Sequence, residues 1–484
     1  MREDGTPMTP GARIGAAIEI LEDLAANPRP ADKALREWGA AHRFAGSKDR
    51  AAIRSHVFAA FRRRGEAADL MGSDKARALV LGSTVLGLRW SAAELAASIG
   101  TGKHDPAAVT PAERAKLDAA EPRARAKGTV NWPGWLRDSL IKAYGDRAGD
   151  LMAALQETAP LDLRVNIAES ERAPVIEALS AVGFPAEATP FSPWGVRITR
   201  DEDLVGSNIR ALPMFRAGTI EIQDEGSQLT AFLSGVKAGE QVLELCAGGG
   251  GKTLALAAMM GRKGQIYACD VDWTRLKAGQ ERARRAHLHI VQPREINPWD
   301  PRTGGDDPDL ESLAGKMDLV FLDVPCTGSG AWRRAPDAKW RLTHEAFARY
   351  IDAQAAILLR GARLVKPGGR MIYVTCSVFA EENAEQISRF LDTQNFSPPP
   401  LRGRVREGGD VTNSVAPPPS PLPQGEGGLE FGLADLGAVW RESLGSEPPQ
   451  GTLVAVPGAE GAALQLSPIT TGTDGFFIAM LERK

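Results

Sequence analysis

The chain has 484 residues, of which 43% are hydrophobic and 25% charged, with a formal net charge of −3. This length exceeds what one hydrophobic core supports, so we expect two or three domains. The near-neutral charge excludes a polycation that binds nucleic acid through its total charge, so any RNA contact must come from local basic patches. Because no apolar run is long enough to span a bilayer and residues 1–13 lack the apolar segment of a secretory signal, we expect a cytoplasmic protein with no membrane partner.

Residues 1–130 predict a helical domain. Ile14, Ile18 and Leu21 recur at helical spacing, and proline-containing segments separate one helical stretch from the next. No cluster of catalytic residue types stands out here, but a basic stretch runs from Arg50 to Arg64. We therefore expect an all-α bundle that carries basic side chains.

Residues 131–216 predict a small α/β module that links this bundle to the rest of the chain. The segment LDLRVN at 161–166 alternates between apolar and polar residues as a half-buried strand does, and WGVRIT and TIEIQD do the same. Between them, RAPVIEALSAVGF favours a helix that ends at Gly183.

Residues 217–484 predict an α/β domain with a mostly parallel sheet and helices on both faces. Helical stretches such as KTLALAAMM separate four apolar strand candidates, which are QVLELCA, QIYACDVD, MDLVFLDVP and RMIYVTCS. Each strand candidate delivers an acid or a cysteine near its carboxyl end, the edge at which ligands bind in such sheets.

A segment of different composition interrupts this domain at about 397–430. Proline, glycine and charged residues dominate it and apolar residues are sparse, which predicts a disordered insertion. After it, the terminal TDGFFIAMLERK predicts strand structure that joins the same sheet.

Three basic runs are candidates for local RNA contacts. A single run of this kind is more often a solvated helix face, but several runs in one chain beside a catalytic motif favour nucleic-acid binding. The candidates are Arg62, Arg63 and Arg64; Arg282, Arg284 and Arg285; and Arg333, Arg334, Lys339 and Arg341.

The glycine-rich turn VLELCAGGGGKT at 242–253 predicts a site for a nucleoside-type cofactor. A phosphate loop of the Walker-A type needs a glycine at the position that Cys246 occupies, which excludes an ATPase of that kind. A strand, a glycine turn and a helix start instead let the backbone approach a nucleotide-like ligand closely. Asp270 follows about twenty residues later, where an acid accepts hydrogen bonds from ribose hydroxyls, and Asp272 fits better as the N-cap of the helix near Trp273.

Four cysteines occur in the chain, and two of them lie in motifs that suggest chemistry. A disulfide framework is not expected in a cytosolic protein of this size, and the chain has no CxxC pair for a zinc site. In MDLVFLDVPCTGSG a strand delivers Asp323 and then Cys326, and in RMIYVTCSVFAEEN a strand delivers Cys376. Each thiol alone is more often a small buried apolar residue, whereas two thiols on two strand ends favour one shared pocket.

These parts suit methyl transfer to C5 of a cytosine. C5 is a poor nucleophile until a thiolate adds to C6, and a carboxyl group that hydrogen-bonds N3 of the ring lowers the cost of that addition. A cysteine, an acid at the same sheet edge and a sulfonium cofactor are the minimal set, and the motifs above supply the two side chains.

From Trp132 to the end, apart from the insertion, the chain resembles the RsmB/NOP (Sun-type) RNA cytosine-5 methyltransferases. The resemblance is carried by CAGGGGKT, ACDVD, DVPCTGSGAWRRAPDAKW, TCS followed by EEN, and the terminal TDGFF. It implies a class I (Rossmann-like) methyltransferase sheet that binds S-adenosyl-L-methionine. The helical N-terminus resembles the NusB-type RNA-binding bundle fused to the bacterial small-subunit ribosomal RNA enzyme of this family, which favours 16S ribosomal RNA as the substrate.

The resemblance also implies roles for single residues. Cys376 would be the nucleophile, Cys326 the thiol that assists product release, and Asp323 a contact to cytosine or cofactor. Asp270 would bind the ribose of the cofactor, and Asp300 would contact its adenine. The implied cofactor cradle consists of Cys246, Ala247, Gly248, Gly249, Gly250, Gly251 and Lys252.

The sequence departs from the family pattern at the glycine turn and its strand. Gly249 stands where the family usually has proline, and Glu244 replaces a common aspartate. Neither departure touches the two thiols. A transfer RNA cytosine-5 methyltransferase and an RNA-binding ribosome assembly factor both stay open as alternatives, and we expect a monomer.

Overall fold

The computed structural model describes residues 8–120, 129–199, 209–298, 307–395 and 429–484. Two sequence predictions therefore lie outside the described residues: Asp300, and the insertion at 397–430 apart from its last two residues.

The first part of the chain folds into helices that share one apolar core. Ile14, Ile53 and Val57 lie in this core with Leu81 and Leu95, which confirms that the apolar spacing marks the inner faces of these helices. The helices are α1 (Pro10–Ala26), α2 (Ala31–Ala41), α3 (Ser47–Arg62), α4 (Arg64–Met71), α5 (Ala76–Leu86), α6 (Ala92–Ser98) and α7 (Pro111–Asp118).

The second part contains a four-stranded antiparallel sheet in the order β2-β3-β1-β4. Leu163 pairs with Val196 on one side and with Ile222 on the other, so this sheet extends past residue 216. The two helices that precede this sheet, at 134–144 and 148–154, do not pack on it in the described ranges. They pack on Trp332 and Phe379 of the third part. The elements are α8 (Gly134–Tyr144), α9 (Ala148–Ala154), β1 (Leu161–Val165), α10 (Arg172–Ala181), β2 (Ala186–Ala188), β3 (Gly195–Ile198), α11 (Pro213–Arg216) and β4 (Ile220–Ile222).

The third part is built on a large mixed sheet in the order β11-β12-β13-β9-β8-β5-β6-β7, with β10 paired to β13. The elements up to the end of α18 are α12 (Glu225–Phe232), β5 (Gln241–Leu245), α13 (Gly251–Met259), β6 (Gln265–Asp270), α14 (Trp273–Arg285), β7 (Val291–Glu295), α15 (Pro308–Glu311), β8 (Met317–Asp323), α16 (Ala338–Arg341), α17 (His344–Ala362), β9 (Val365–Thr375) and α18 (Ala384–Asn395). The later elements are β10 (Phe431–Leu433), α19 (Leu436–Leu444), β11 (Leu453–Ala455), β12 (Ala462–Leu466) and β13 (Phe476–Arg483).

The α/β prediction is confirmed, and all four predicted strands are present as β5, β6, β8 and β9. These strands run parallel, and β13 adds antiparallel to β9. The central strands are mostly apolar and buried because helices cover both faces of the sheet, although Glu244 of β5 is a buried acid. The strand order reverses direction between β5 and β8, and the carboxyl ends of strands at such a point form the crevice in which ligands bind.

Among the helices of the described ranges, none combines the length and the apolar character that crossing a bilayer requires.

Candidate active site

The turn after β5 has a compact backbone that only certain residues adopt easily. Gly248 and Gly250 have φ values of 55° and 77°, and Cys246 has a φ of 65°, which is unfavourable for a residue with a Cβ. The Ala247 amide donates to the carbonyl of Cys269 over 2.9 Å, which ties the turn to the end of β6. The chain then enters α13 at Gly251.

Asp270, at the end of β6, holds this turn from the side. One carboxylate oxygen accepts from the Gly248 amide at 2.8 Å, and the other accepts from the Asp272 amide at 3.0 Å. Asp272, as predicted, is the residue that caps α14, because its side chain accepts from the Thr274 amide. The Asp270 carboxylate retains lone pairs toward the cavity beside it, as a ribose-binding acid requires.

A cavity of about 480 Å³ lies at the carboxyl ends of β5, β6, β8 and β9. Its volume falls in the range that small-molecule and cofactor sites occupy. Five of the residues selected from the sequence line it: Cys246, Asp270, Asp323, Cys326 and Cys376. The structure therefore brings the predicted ribose-binding acid and both motif thiols into one pocket.

A larger cavity of about 740 Å³ lies in the helical bundle, beside Trp38 and Phe44. It is the more spacious of the two, but none of the predicted site residues lines it. We place the active site in the smaller cavity because the thiols and carboxylates converge there.

The remaining residues of the predicted cradle lie around the turn and do not line the 480 Å³ cavity. Ala247, Gly248 and Gly250 face a narrow hollow between the turn and α14. The carbonyl of Gly249 accepts from Arg282, and the carbonyl of Gly251 accepts from Arg164.

Lys252 forms an ion pair with Asp323, an interaction that the sequence does not reveal. Its ammonium lies 2.8 Å from the Asp323 carboxylate and 5.4 Å from the centre of the Phe476 ring. Burial lowers the pKa of Lys252, but the charge and hydrogen bond of Asp323 outweigh burial and raise that pKa above its ordinary value. Lys252 is therefore a fixed cation beside the acid that enters the pocket.

The two thiols face each other at the end of neighbouring strands. The Sγ atoms of Cys326 and Cys376 are 3.4 Å apart, within hydrogen-bonding distance for sulfur. The hydrogen bond with Cys376, together with burial, raises the pKa of the Cys326 thiol well above its ordinary value. Cys326 therefore stays protonated at neutral pH, and its sulfur lies within hydrogen-bonding distance of the Cys376 sulfur.

The other two cysteines lie in different surroundings. Burial raises the pKa of Cys269 to about 12, and this side chain is inside the sheet. Cys246 lines the pocket, and burial followed by the charge of Asp270 raises its pKa as well. Neither has a second thiol beside it among the contacts of the described residues, so only the Cys326 and Cys376 pair has the arrangement that two-thiol chemistry needs.

Two family models match consecutive segments of the chain. Residues 231–412 match the model described as 16S rRNA methyltransferase RsmB/F, and residues 132–204 match the ferredoxin-like domain described for RsmF/B-like methyltransferases. The pocket lies within the first segment, and the four-stranded sheet lies largely within the second.

The chain is therefore similar to RsmB/F methyltransferases over both of these segments.

Curated relatives of the chain carry names that refer to ribosomal RNA. A protein from Synechocystis named probable ribosomal RNA small subunit methyltransferase B is 32% identical over 287 residues, or 59% of this chain and 61% of the relative. A protein of the same name from Bacillus subtilis is 31% identical over 58% of this chain and 61% of the relative. The chain thus matches about 61% of the length of these relatives.

Solved structures confirm the Rossmann-like methyltransferase fold. The crystal structure of PH0851 has a TM-score of 0.67 and 25% identity over 98% of this chain and 99% of its own. A methyltransferase homologue from Pyrococcus horikoshii has a TM-score of 0.53 and 26% identity over 73% of this chain and 96% of its own. The predicted cofactor, S-adenosyl-L-methionine, agrees with the match of residues 231–412 to a methyltransferase family model.

The basic runs of the chain lie mostly in internal contacts, which corrects the prediction for several of them. Arg333 and Lys339 are only 5% and 2% exposed, so their interpretation as RNA contacts is wrong. Arg333 pairs with Asp474, and Lys339 lies 5.1 Å from the centre of the Trp132 ring. Arg282 and Arg285 both pair with Glu221, and Arg334 pairs with Asp224 and Asp474. For side chains that face solvent, such as Arg284, contact with RNA stays a prediction.

Residues 331–341 also connect the helical bundle to the catalytic sheet, and we call this segment the bundle joint. The indole of Trp340 donates to the carbonyl of Phe61 at 2.9 Å, and Arg62 donates to the carbonyl of Arg333 at 2.9 Å. The Asp337 carboxylate accepts from the Ala31 amide at the start of α2. Arg62, which belongs to the first basic run, thus forms a structural contact between the bundle and the segment that follows Cys326.

Arg164 of β1 is a second residue that the sequence does not single out. Its guanidinium donates to the carbonyl of Gly251 at 2.6 Å and to the side chain of Gln223 at 2.5 Å. Burial lowers the pKa of Arg164 to about 10, which still leaves it charged at neutral pH. The ferredoxin-like sheet therefore reaches across to fix the glycine turn of the methyltransferase sheet.

Proposed function

We propose that this chain methylates C5 of a cytosine in RNA, using S-adenosyl-L-methionine, and that its substrate is small-subunit (16S) ribosomal RNA. The observation that carries the proposal is the pair of thiols 3.4 Å apart in the same pocket as Asp270 and Asp323. The names of the curated relatives support a ribosomal substrate.

In this proposal Cys376 begins the reaction. Its thiolate forms a bond to C6 of the cytosine, and the electrons of the C5–C6 double bond move through C5 and C4 toward N3. Asp323 lies beside this point, and its carboxyl group donates a proton in a hydrogen bond to N3, so that the charge developing there is stabilised. Lys252 holds the Asp323 carboxylate in place over 2.8 Å and supplies a positive charge next to it.

The second half of the reaction restores the aromatic ring. S-adenosyl-L-methionine, when bound, supplies an electrophilic methyl group on its sulfonium to the activated C5. A base then removes the C5 proton, the electrons re-form the C5–C6 double bond, and the bond between Cys376 and C6 breaks. Cys326 lies 3.4 Å from Cys376 and assists this release.

The residues of this chain fit the cofactor. The backbone of the turn from Cys246 to Lys252 is compact enough for close approach, and Asp270 offers carboxylate lone pairs to ribose hydroxyls at the cavity wall. The two acids at the ends of β6 and β8 would flank the bound cofactor. Asp300 stays our proposal for the contact to adenine.

We also propose a three-part division of labour. Residues 1–130 form the RNA-binding bundle, residues 131–216 form the linking module, and residues 217–484 form the methyltransferase domain with its insertion. The bundle contacts residues 331–341, which follow Cys326 in the chain. These contacts support an arrangement in which RNA bound to the bundle reaches the pocket.

Covalent trapping tests the proposed roles of the two thiols. Cys376→Ala removes the nucleophile, so we expect turnover to fall by more than about a thousandfold and no RNA adduct to form. Cys326→Ala leaves addition possible but blocks release, so a covalent adduct of protein and RNA should accumulate on a denaturing gel.

Cys269→Ala is the matched control, because Cys269 is buried in the same sheet and does not line the pocket. It should turn over like the parent and form no stable adduct. An adduct in the Cys376 variant would reverse the two assignments, and the absence of an adduct in every variant would contradict the covalent mechanism.

A further inference from the structure

Glu382 is a buried acid that lies behind the thiol pair, outside the pocket. It is 0% exposed and belongs to a short helical turn, Ala380–Glu382, that follows the Cys376 loop. Burial raises the pKa of its carboxyl group, and hydrogen bonds to that carboxyl group oppose the increase. A buried acid of this kind needs several donors to be retained in the folded state.

The donors to Glu382 come from the residues that directly follow the two thiols. One carboxylate oxygen accepts from the Thr327 amide at 2.8 Å, and the other accepts from the Thr327 hydroxyl at 2.6 Å and from the Ser377 hydroxyl. Gln354 of α17 donates a further hydrogen bond at 3.0 Å. One carboxylate therefore joins the loop of Cys326 to the loop of Cys376.

The next residue extends this arrangement on the Cys376 side. Asn383 accepts from the Thr375 hydroxyl at 2.6 Å and donates to the Ser377 carbonyl at 3.0 Å, so it contacts the residues on both sides of Cys376. The hydroxyl of Tyr373 donates to the Glu382 carbonyl at 2.7 Å. The end of β9 is thus fixed relative to Glu382 before any ligand binds.

The two loops also share contacts that do not involve Glu382. The Ser329 hydroxyl accepts from the Val378 amide at 2.9 Å and lies 3.0 Å from the Ser377 hydroxyl. The Gly330 amide donates to the carbonyl of Cys376 at 2.9 Å. The loops therefore stay joined when the carboxylate is altered, although the relative positions of the sulfur atoms become less constrained.

We propose that Glu382 is a positioning residue for the thiol pair: by accepting hydrogen bonds from Thr327 and Ser377, it keeps the Cys326 and Cys376 sulfur atoms at the separation that catalysis uses. The catalytic meaning of this separation rests on the function proposed above. The separation itself can be measured without RNA, cofactor or turnover.

The direct test is the rate at which the two thiols crosslink in the full chain. Treatment with diamide oxidises two adjacent thiols to a disulfide and is itself reduced to the hydrazine, and peptide mass spectrometry quantifies the Cys326–Cys376 bond. Glu382→Gln places an amide group against hydrogen-bond donors, so we expect crosslinking to slow by about tenfold, the effect of losing one or two hydrogen bonds to a charged group.

Glu381→Gln is the matched control. Glu381 is adjacent in sequence but accepts from Ser139 of α8 at 2.7 Å. Its variant should crosslink at the parental rate. Affinity for S-adenosyl-L-methionine, measured by calorimetry, should stay within about twofold in both variants because Glu382 does not line the pocket.

A crosslinking rate in Glu382→Gln that equals or exceeds the parental rate would overturn the proposal. If that variant does not fold, Thr327→Val removes a single hydroxyl donor and should slow crosslinking by about threefold, and an unchanged rate there would overturn it equally. If Glu382→Gln crosslinks more slowly than the parent and the parent makes no 5-methylcytidine, the positioning role is supported and the proposed function is contradicted.

Discussion

The 480 Å³ pocket that contains Cys326 and Cys376 and the bundle joint of residues 331–341 both contain residues whose chemical type suggests function. Their side chains have different surroundings in the two places. In the pocket, Cys326 and Cys376 lie 3.4 Å apart at strand ends, as their positions in the sequence predict. In the joint, the cations of the segment WRRAPDAKWR enter ring contacts and ion pairs inside the protein. Position at the edge of a sheet therefore predicted which side chains meet in one pocket, whereas charge did not predict which side chains face solvent.

The difference has a physical origin. Parallel strands must end at one edge, so a reactive side chain just after a buried strand is carried to the ligand site whatever its long-range partners are. An arginine in a loop has no such constraint. A carboxylate from a distant part of the chain can pair with it, and Asp474 pairs with Arg333 across 141 positions.

Arg333→Met tests whether the cations of the bundle joint are structural, and it has the largest expected effect. Arg333 lies between the buried carboxylates of Asp474 and Asp224, and its removal leaves them with Arg334 as their remaining arginine partner among the ion pairs described. We expect the free energy of unfolding in denaturant to fall by about 3–5 kcal/mol.

Arg284→Met, on the solvent-facing side of α14, is the control and should change stability by less than about 0.5 kcal/mol. Parental stability of Arg333→Met together with weaker RNA binding would restore the interpretation of Arg333 as an RNA contact.

Asp270→Asn tests whether Asp270 binds the ribose of the cofactor in the pocket. In asparagine the side-chain NH2 must face one of the two backbone amide donors of Gly248 and Asp272, and only one oxygen remains to accept from the other amide and from ribose hydroxyls. We therefore expect the affinity for S-adenosyl-L-methionine to fall by about ten- to a hundredfold in calorimetry. Asp272→Asn is the control because asparagine is an equally good N-cap for α14. An equal loss in both variants would contradict a ribose-binding role specific to Asp270.

Lys339→Met produces the smallest expected effect, and it reports on the bundle joint. Burial, followed by the charges of Arg62 and Arg63, lowers the pKa of Lys339 from 10.5 to about 7. Between these pH values the unfolded chain binds a proton that the folded chain does not, so this group makes stability increase from pH 7 to pH 10.5.

Methionine removes that dependence while it fills similar space. We therefore expect a melting temperature about 2–4 °C higher at pH 7.5 and a smaller increase between pH 7.5 and pH 9.5. Lys277→Met on the exposed side of α14 should change neither quantity. A lower melting temperature for Lys339→Met would show that the ammonium stabilises the joint.

The sequence was sufficient for the parts of the fold that are locally encoded. The strands β5, β6, β8 and β9 are predominantly apolar runs, so their ends, and with them Asp270, Asp323 and Cys376, could be placed. The strand β7 was missed because its residues, VQPRE, are polar and only partly buried. The strands β10, β11 and β12 lie after the insertion and are short.

The features of the site that could not be predicted from the sequence depend mostly on contacts between residues that are distant in the chain. Lys252 belongs to the glycine motif, but its ion pair with Asp323 spans 71 positions. Glu382 stands in the EEN segment that supported the family resemblance, yet its contact with Thr327 appears only when β8 and β9 are neighbours in the sheet. The positive φ of Cys246 likewise has no sequence signal, because glycine is the residue that usually marks such a position.

Nucleoside analysis tests the central claim most directly. Small-subunit ribosomal RNA and transfer RNA are incubated separately with the full chain and methyl-labelled S-adenosyl-L-methionine, digested to nucleosides and analysed by mass spectrometry. The account predicts labelled 5-methylcytidine from the ribosomal RNA that is lost in Cys376→Ala and retained in Cys269→Ala. Label in any other nucleoside, label in transfer RNA alone, or undiminished label in Cys376→Ala would contradict it.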